Sequence, residues 1–254
     1  MRTIVFTTTN WNSKEYWDVL WNGPARPPSI NSPHEWLESW KEPMFGLCKW
    51  HERVRWLFGP IEVFLACGTW SDPQWSPIPV VNSGVDYTKP YNPGRWSYAG
   101  CAQLAAHAYL MNRRDWDLAV QLDYDCLVGA VDFEQLRVDF CNRPDVVLTP
   151  SWFGKPGGPL IIFKREGILR WLHHRRRANL VEDNLPVPME LEDEMREIFD
   201  GAWWNPWPNN DNQRYEDGVK DDAAFNWQFV RSPSMTMRER YVAEQTSKTK
   251  PFLR

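Results

Sequence analysis

Short strand-like runs alternating with helical stretches limit this chain to one broad fold class. Thr3 to Thr9 (TIVFTTT) is a β-branched run ending in polar residues, and Ile61 to Cys67 (IEVFLAC) is a second run, closed by Gly68. Val80-Val81 after Pro79 is a weaker third. Leu118 to Leu122 (LAVQL), Val146 to Thr149 and Leu160 to Phe163 (LIIF) complete the set. Between them lie helical patterns. Residues 33–58 place Trp36, Trp40, Leu47, Trp50, Val54 and Leu57 at helical spacing, and Pro43 should split that stretch into two helices. Arg95 to Met111 is alanine-rich, with an expected apolar stripe at 101, 104, 105, 108 and 111. Arg165 to Phe199 reads as helical, interrupted around Pro186 and Pro188. Such alternation predicts an α/β fold with a mainly parallel sheet.

Two regions read as irregular: Trp11 to Pro33, and residues 200–218 (GAWWNPWPNNDNQRYEDG), rich in Trp, Asn and Pro. Ala223 to Val230 predicts a last helix or strand, and the tail from Arg231 is weakly patterned. Neither a repeat nor a linker interrupts the 254 residues, so a single domain is expected.

Composition excludes several classes. The chain has no run of 18 apolar residues, so no transmembrane helix is expected. Its first residues enter a strand-like run without signal-peptide features, which makes a cytoplasmic location the expectation. The five cysteines (48, 67, 101, 126 and 141) are dispersed, which suits reduced, buried thiols better than disulfides or zinc. A net charge of −4 provides no global basic field for indiscriminate nucleic-acid binding. The 17 tryptophans are several times what average composition would supply, and many must be core. Those beside Asn and Pro, namely Trp203, Trp204 and Trp207, are candidates for stacking on an acceptor sugar or base. Arg175 and Arg176, in the basic run HHRRR, are candidates for contacting an anionic acceptor or simply for ending a helix.

The chemistry-bearing element is Asp123-Tyr124-Asp125, at the carboxyl end of LAVQL. In open α/β sheets that edge is where ligands bind. Two carboxylates one residue apart can share Mg²⁺ or Mn²⁺, hard cations that leave coordination positions for diphosphate oxygens. The chain has neither a GxxxxGK[ST] loop nor a GxGxxG turn.

With these residues in order, the segment from Asn82 to Glu166 resembles the GT-A family of nucleotide-sugar glycosyltransferases. The resemblance rests on the helix bearing Arg95, Tyr98, Ala99 and Gly100, then WDLAVQLDYDCLVG at 116–129, PDVVLTPSWF at 144–153 and GGPLIIFKRE at 157–166. It implies a GT-A-like (Rossmann-like) mixed, mainly parallel sheet flanked by helices. Residues 1–130 would form the nucleotide half and 131–254 the sugar and acceptor half. By the family's pattern, Asp123 and Asp125 hold Mn²⁺ or Mg²⁺, and the donor is a nucleotide-sugar, a UDP-sugar first among them. Thr7, Thr8 and Thr9 lie where the first strand reaches the nucleoside. Arg95 and Tyr98 lie on the helix that abuts the nucleotide. Gly157 and Gly158 permit close approach to the sugar.

For the catalytic carboxylate the resemblance leaves alternatives. Glu182-Asp183 or Glu192-Asp193 would match the acidic pair that supplies a general base in inverting relatives. Asp221 and Asp222, in DDAAFN, look like the acidic segment of retaining ones. No histidine follows His174, so the late histidine that often completes the metal shell is absent, and a late Asp, Asn or water would replace it. The expected function is sugar transfer to an acceptor hydroxyl on a glycan, a protein or a hydroxymethylated DNA base. The alternatives are a sugar nucleotidyltransferase, although TTTNWNSKEYW lacks its glycines, and a non-catalytic Trp-rich binding module.

Overall fold

A computed structural model describes residues 1–9, 47–68, 73–83, 95–124, 127–128, 133–152, 155–157, 160–177, 191–206, 213–214 and 225–227. Its main sheet is built from β1 (Thr3–Thr9), β2 (Glu62–Cys67), β3 (Val80–Asn82), β4 (Leu118–Leu122), β6 (Val147–Leu148), β9 (Leu160–Lys164) and β10 (Trp203–Trp204). These seven strands lie in the order β10-β6-β9-β4-β1-β2-β3. β1 is parallel to both β2 and β4, β2 to β3, and β6 to β10. Only β9 is reversed, antiparallel to β4 and β6. A mixed, mainly parallel sheet is therefore present, as the strand–helix alternation predicts.

Five α-helices accompany it among the described residues: α1 (Leu47–Phe58), α2 (Arg95–Asn112), α3 (Phe133–Cys141), α4 (Arg165–Arg177) and α5 (Leu191–Phe199). None is long and apolar enough to cross a membrane. Strand β5 (Leu127–Val128) forms a small sheet with β11 (Gln213–Arg214) and β12 (Phe225–Trp227), and β7 (Ser151–Trp152) pairs with β8 (Lys155–Pro156).

The central strands are buried along almost their whole length, because helices cover them and leave no polar face. One core cluster joins Ile4 and Phe6 of β1, Phe64 of β2, Ala102, Ala106 and Leu110 of α2, Phe163 of β9 and Trp171 of α4. Phe6 stacks on Phe64 with ring centroids 5.1 Å apart.

The buried face of α2 is not the stripe expected from its sequence. Ala102, Gln103, Ala106, His107 and Leu110 are buried, whereas Ala108 is exposed and Cys101, Leu104, Ala105 and Met111 are only partly covered. Alanines surround the helix, so apolarity alone does not fix its rotation, and two polar residues turn inward because partners await them. Gln103 Nε2 donates to Gln121 Oε1 of β4 at 3.0 Å. The His107 ring meets Phe163 and Trp171 edge-on, at 5.3 and 4.9 Å.

A second correction concerns residues 200–218. Trp203 and Trp204, read as loop, form the edge strand β10, opposite Val147 and Leu148. Two residues are too few to show any periodicity, yet aromatic side chains suit a pleated surface once a neighbouring strand is present. The turn into β10 depends on Gly201, whose φ of 65° lies in the left-handed region that ends helices after α5. Close packing of α4 likewise needs a glycine: a Cβ on Gly167 would sit 2.6 Å from the Val146 carbonyl oxygen. The cysteines also divide. Cys67 is buried as expected, but Cys48 and Cys141 are exposed.

At the amino-terminal edge of the sheet Arg113 bridges Glu62 and Asp115, and Arg2 joins the same two carboxylates. The hydrogen bond from Arg113 holds the Glu62 carboxyl below the usual glutamate range, against the opposing effect of burial. A depressed folded-state pKa gives stability that is present above the unfolded value and lost as pH falls through the folded one. The stability difference between the wild type and Glu62→Gln is therefore expected to be greatest near neutrality and to shrink on acidification. Urea melts at several pH values would check this, and a gap that widened in acid would refute it.

Candidate donor site at the carboxyl edge of the sheet

Chain order around β1 creates a crevice. From β1 the chain moves to β2 and β3 on one side, then returns to β4 on the other. Such a reversal leaves a gap beyond the carboxyl ends of the two central strands, where open α/β sheets take their ligands. The β1 end carries Thr8 and Thr9, and the β4 end runs directly into Asp123, which is partly exposed. Thr9 is buried, and its carbonyl accepts a hydrogen bond from the Gly68 amide at 2.8 Å. Ser83 fastens the neighbouring strand ends by donating from Oγ to the Gly68 carbonyl at 2.6 Å and from its amide to the Cys67 carbonyl at 3.0 Å.

The antiparallel register brings a second element to this edge. Leu122 pairs with Leu160, so the segment just before β9, with Gly157, lies beyond the same sheet edge as Asp123. The Gly157 amide donates to the Pro150 carbonyl at 3.2 Å, which ties that segment to the end of β6. Two carboxyl strand ends and the approach to a reversed strand thus converge on Asp123.

Beneath Asp123 the support is buried. The Trp50 indole of α1 donates from Nε1 to the Leu122 carbonyl at 2.9 Å, one residue before the aspartate. Gln121, two residues before it, is held by Gln103 of α2. Neither contact is visible in the sequence, where Trp50 looks like one more apolar helix position. A lone Gln within LAVQL is the only hint of the other.

The remaining candidates divide. Arg95 and Tyr98 lie in the first turns of α2, and Arg175 and Arg176 in the last turn of α4. Asp193 of α5 forms an ion pair with Lys155 of β8, 2.5 Å from Oδ1 to Nζ, which fastens the β7–β8 hairpin to that helix. Trp204 stacks on Phe140 of α3 at 6.4 Å, and the Arg143 guanidinium lies 4.6 Å from its ring centroid. Asp125, Gly158, Glu182, Asp183, Trp207, Asp221 and Asp222 fall outside the described residues. Near the last two, β12 pairs antiparallel with β5, placing Asn226 opposite Leu127 just after the Asp-Tyr-Asp element.

No protein-family model matches the chain, and neither does any curated protein sequence. Solved structures do. An active-site mutant of the galactosyltransferase LgtC superposes with a TM-score of 0.50 at 13% identity, covering 97% of this chain and 96% of that one. The fold is that of LgtC. A glycosyltransferase involved in glycosylation of the major capsid of PBCV-1 gives 0.45 at 11% identity, covering 89% of this chain and 93% of its own. GlyE, a glycosyltransferase of Streptococcus pneumoniae TIGR4, gives 0.44 at 9% identity and covers 85% of this chain. The chain spans only 48% of GlyE. The architecture is thus the GT-A-like one that the motif order implies.

Proposed function

We propose that this chain is a metal-dependent glycosyltransferase that moves a sugar from a nucleotide-sugar, a UDP-sugar first among the candidates, to an acceptor hydroxyl. The observation carrying this reading is the position of Asp123, beyond β4 at the strand-order reversal, with the Gly157 segment on the same edge. A fold shared with LgtC supports it.

Mn²⁺ or Mg²⁺ can be held by few protein carboxylates and completed by substrate phosphates. Asp123 and Asp125 would hold the cation. When bound, it would supply Lewis acidity that stabilises the departing nucleoside diphosphate. Thr8, Thr9, Arg95 and Tyr98 would receive the nucleotide, and Gly157 and Gly158 would let the sugar lie close to the backbone. A carboxylate, from Asp221, Asp222 or Asp193, would take the acceptor proton or stabilise the anomeric carbon. Asp193 would first have to leave Lys155. Trp203, Trp204, Trp207, Arg175 and Arg176 remain the acceptor candidates, for a glycan, a protein or a hydroxymethylated DNA base.

A panel of UDP-, GDP- and dTDP-sugars with Mn²⁺ is expected to give thermal stabilisation and slow hydrolysis with at least one donor, both abolished by EDTA. Silence with every donor would refute the proposal.

A further inference from the structure

Some distance from Asp123, at the amino-terminal edge of the same sheet, a cleft of about 690 Å³ opens between α1, α3 and the starts of β1 and β2. Seven residues of β1 separate the two edges by roughly 20 Å at the rise of an extended strand. The cleft's lining is cationic for a chain of net charge −4: among the described residues Arg2, Arg55 and Arg137, with the His51 ring beside them, outnumber one carboxylate, Glu62. That carboxylate is already committed, since Arg113 and Arg2 both donate to it. Arg2 is spoken for as well, bridging Glu62 and Asp115.

Arg55 and Arg137 are different. Arg55 is exposed and has no ion pair among the described residues. Arg137 donates from Nη1 to the Thr3 hydroxyl at 3.1 Å, a neutral acceptor, while its Nε is buried without a partner. Two guanidiniums that make no ion pair among the described residues therefore line one concavity, and burial and the Arg55 charge disfavour the protonated form of the His51 ring that shares it, against the opposing charge of Glu52. The floor beside them is apolar, with Phe58, Pro60 and Ile61.

Planar guanidiniums match phosphate oxygens in geometry and charge. We infer that this cleft is a second ligand site, binding a phosphate monoester with an apolar body: the phosphoryl group on Arg55 and Arg137, the body on Phe58 and Ile61. The inference does not depend on the proposed transferase activity, because no residue of the donor edge takes part.

Phenyl phosphate is a suitable probe, titrated with EDTA present so that no divalent cation can recruit it to the other edge. Calorimetry is expected to give one site, and NMR should show the His51 pKa rising as the phosphate dianion arrives. Besides the ligand, the charges around His51 among the described residues are Arg55, Arg2, Arg137, Glu52 and Glu62, so the direction of the shift reports added negative charge. Arg55→Glu, an exposed substitution, should weaken binding about ten-fold or more. Arg196→Glu on the exposed face of α5, and Asp123→Ala, should leave it unchanged. Absence of binding, full binding by Arg55→Glu, or loss in Asp123→Ala would overturn the assignment. Inorganic phosphate binding as tightly as phenyl phosphate would overturn the apolar half of it.

Discussion

Asp123→Ala is expected to reduce metal-dependent turnover of a nucleotide-sugar by at least about 10²-fold while leaving the fold intact. A bound divalent ion supplies several kcal/mol of charge stabilisation to a departing diphosphate, and each 1.36 kcal/mol is a factor of ten in rate. Asp123 is partly exposed at a strand end, so its removal opens no cavity in the core. Melting temperature without donor should therefore stay close to that of the wild type, whereas stabilisation by donor and Mn²⁺ should vanish. Asp125→Ala should behave alike. If either variant kept full activity, the metal assignment would be wrong. If Asp123→Ala lost activity and melted far below the wild type, the residue would be acting through the fold instead.

Trp171→Ala is expected to have the largest effect on stability, about 3–5 kcal/mol. The side chain is fully buried, and four elements meet at it. Its ring lies 4.9 Å from His107 of α2, 5.8 Å from Phe163 of β9 and 5.9 Å from Phe199 of α5. Truncation leaves a cavity that these neighbours, fixed on separate elements, can only partly fill. It also strips a partner from a buried carboxylate, because the Trp171 indole donates to Glu194 Oε1 at 3.1 Å. The hydrogen bond lost by that buried carboxylate adds to the packing loss. For a chain of this size the melting temperature should fall on the order of 10 °C. Trp171→Phe, which keeps much of the ring volume but not the N–H, should fall between. Equal stability of wild type and Trp171→Ala would refute this account of the core.

How far each feature could be read in advance follows from the range of the interaction that makes it. The alternation TIVFTTT, IEVFLAC, LAVQL, LIIF is local patterning, and all four runs are strands of the main sheet. The end of LAVQL puts Asp123 at a strand terminus whatever its neighbours, so the placement of this candidate residue was legible. The rotation of α2 was not, because alanines on every side made the buried face depend on where Gln121, Phe163 and Trp171 stood. Nor was β10, a strand of two residues that exists only because Val147 and Leu148 offer it a free edge.

The sequence by itself therefore determined the α/β class, most of the strands and helices, and the placement of Asp123 at the end of a buried strand, since these depend on residues a few positions apart. Tertiary structure alone decided that β1 and β4 would be neighbours with the strand order reversing between them, which turns a strand end into a crevice. It also brought Arg55 and Arg137, 82 positions apart by their numbers, to one cleft at the opposite edge. Both outcomes depend on long-range packing of faces, for which a linear pattern carries no register.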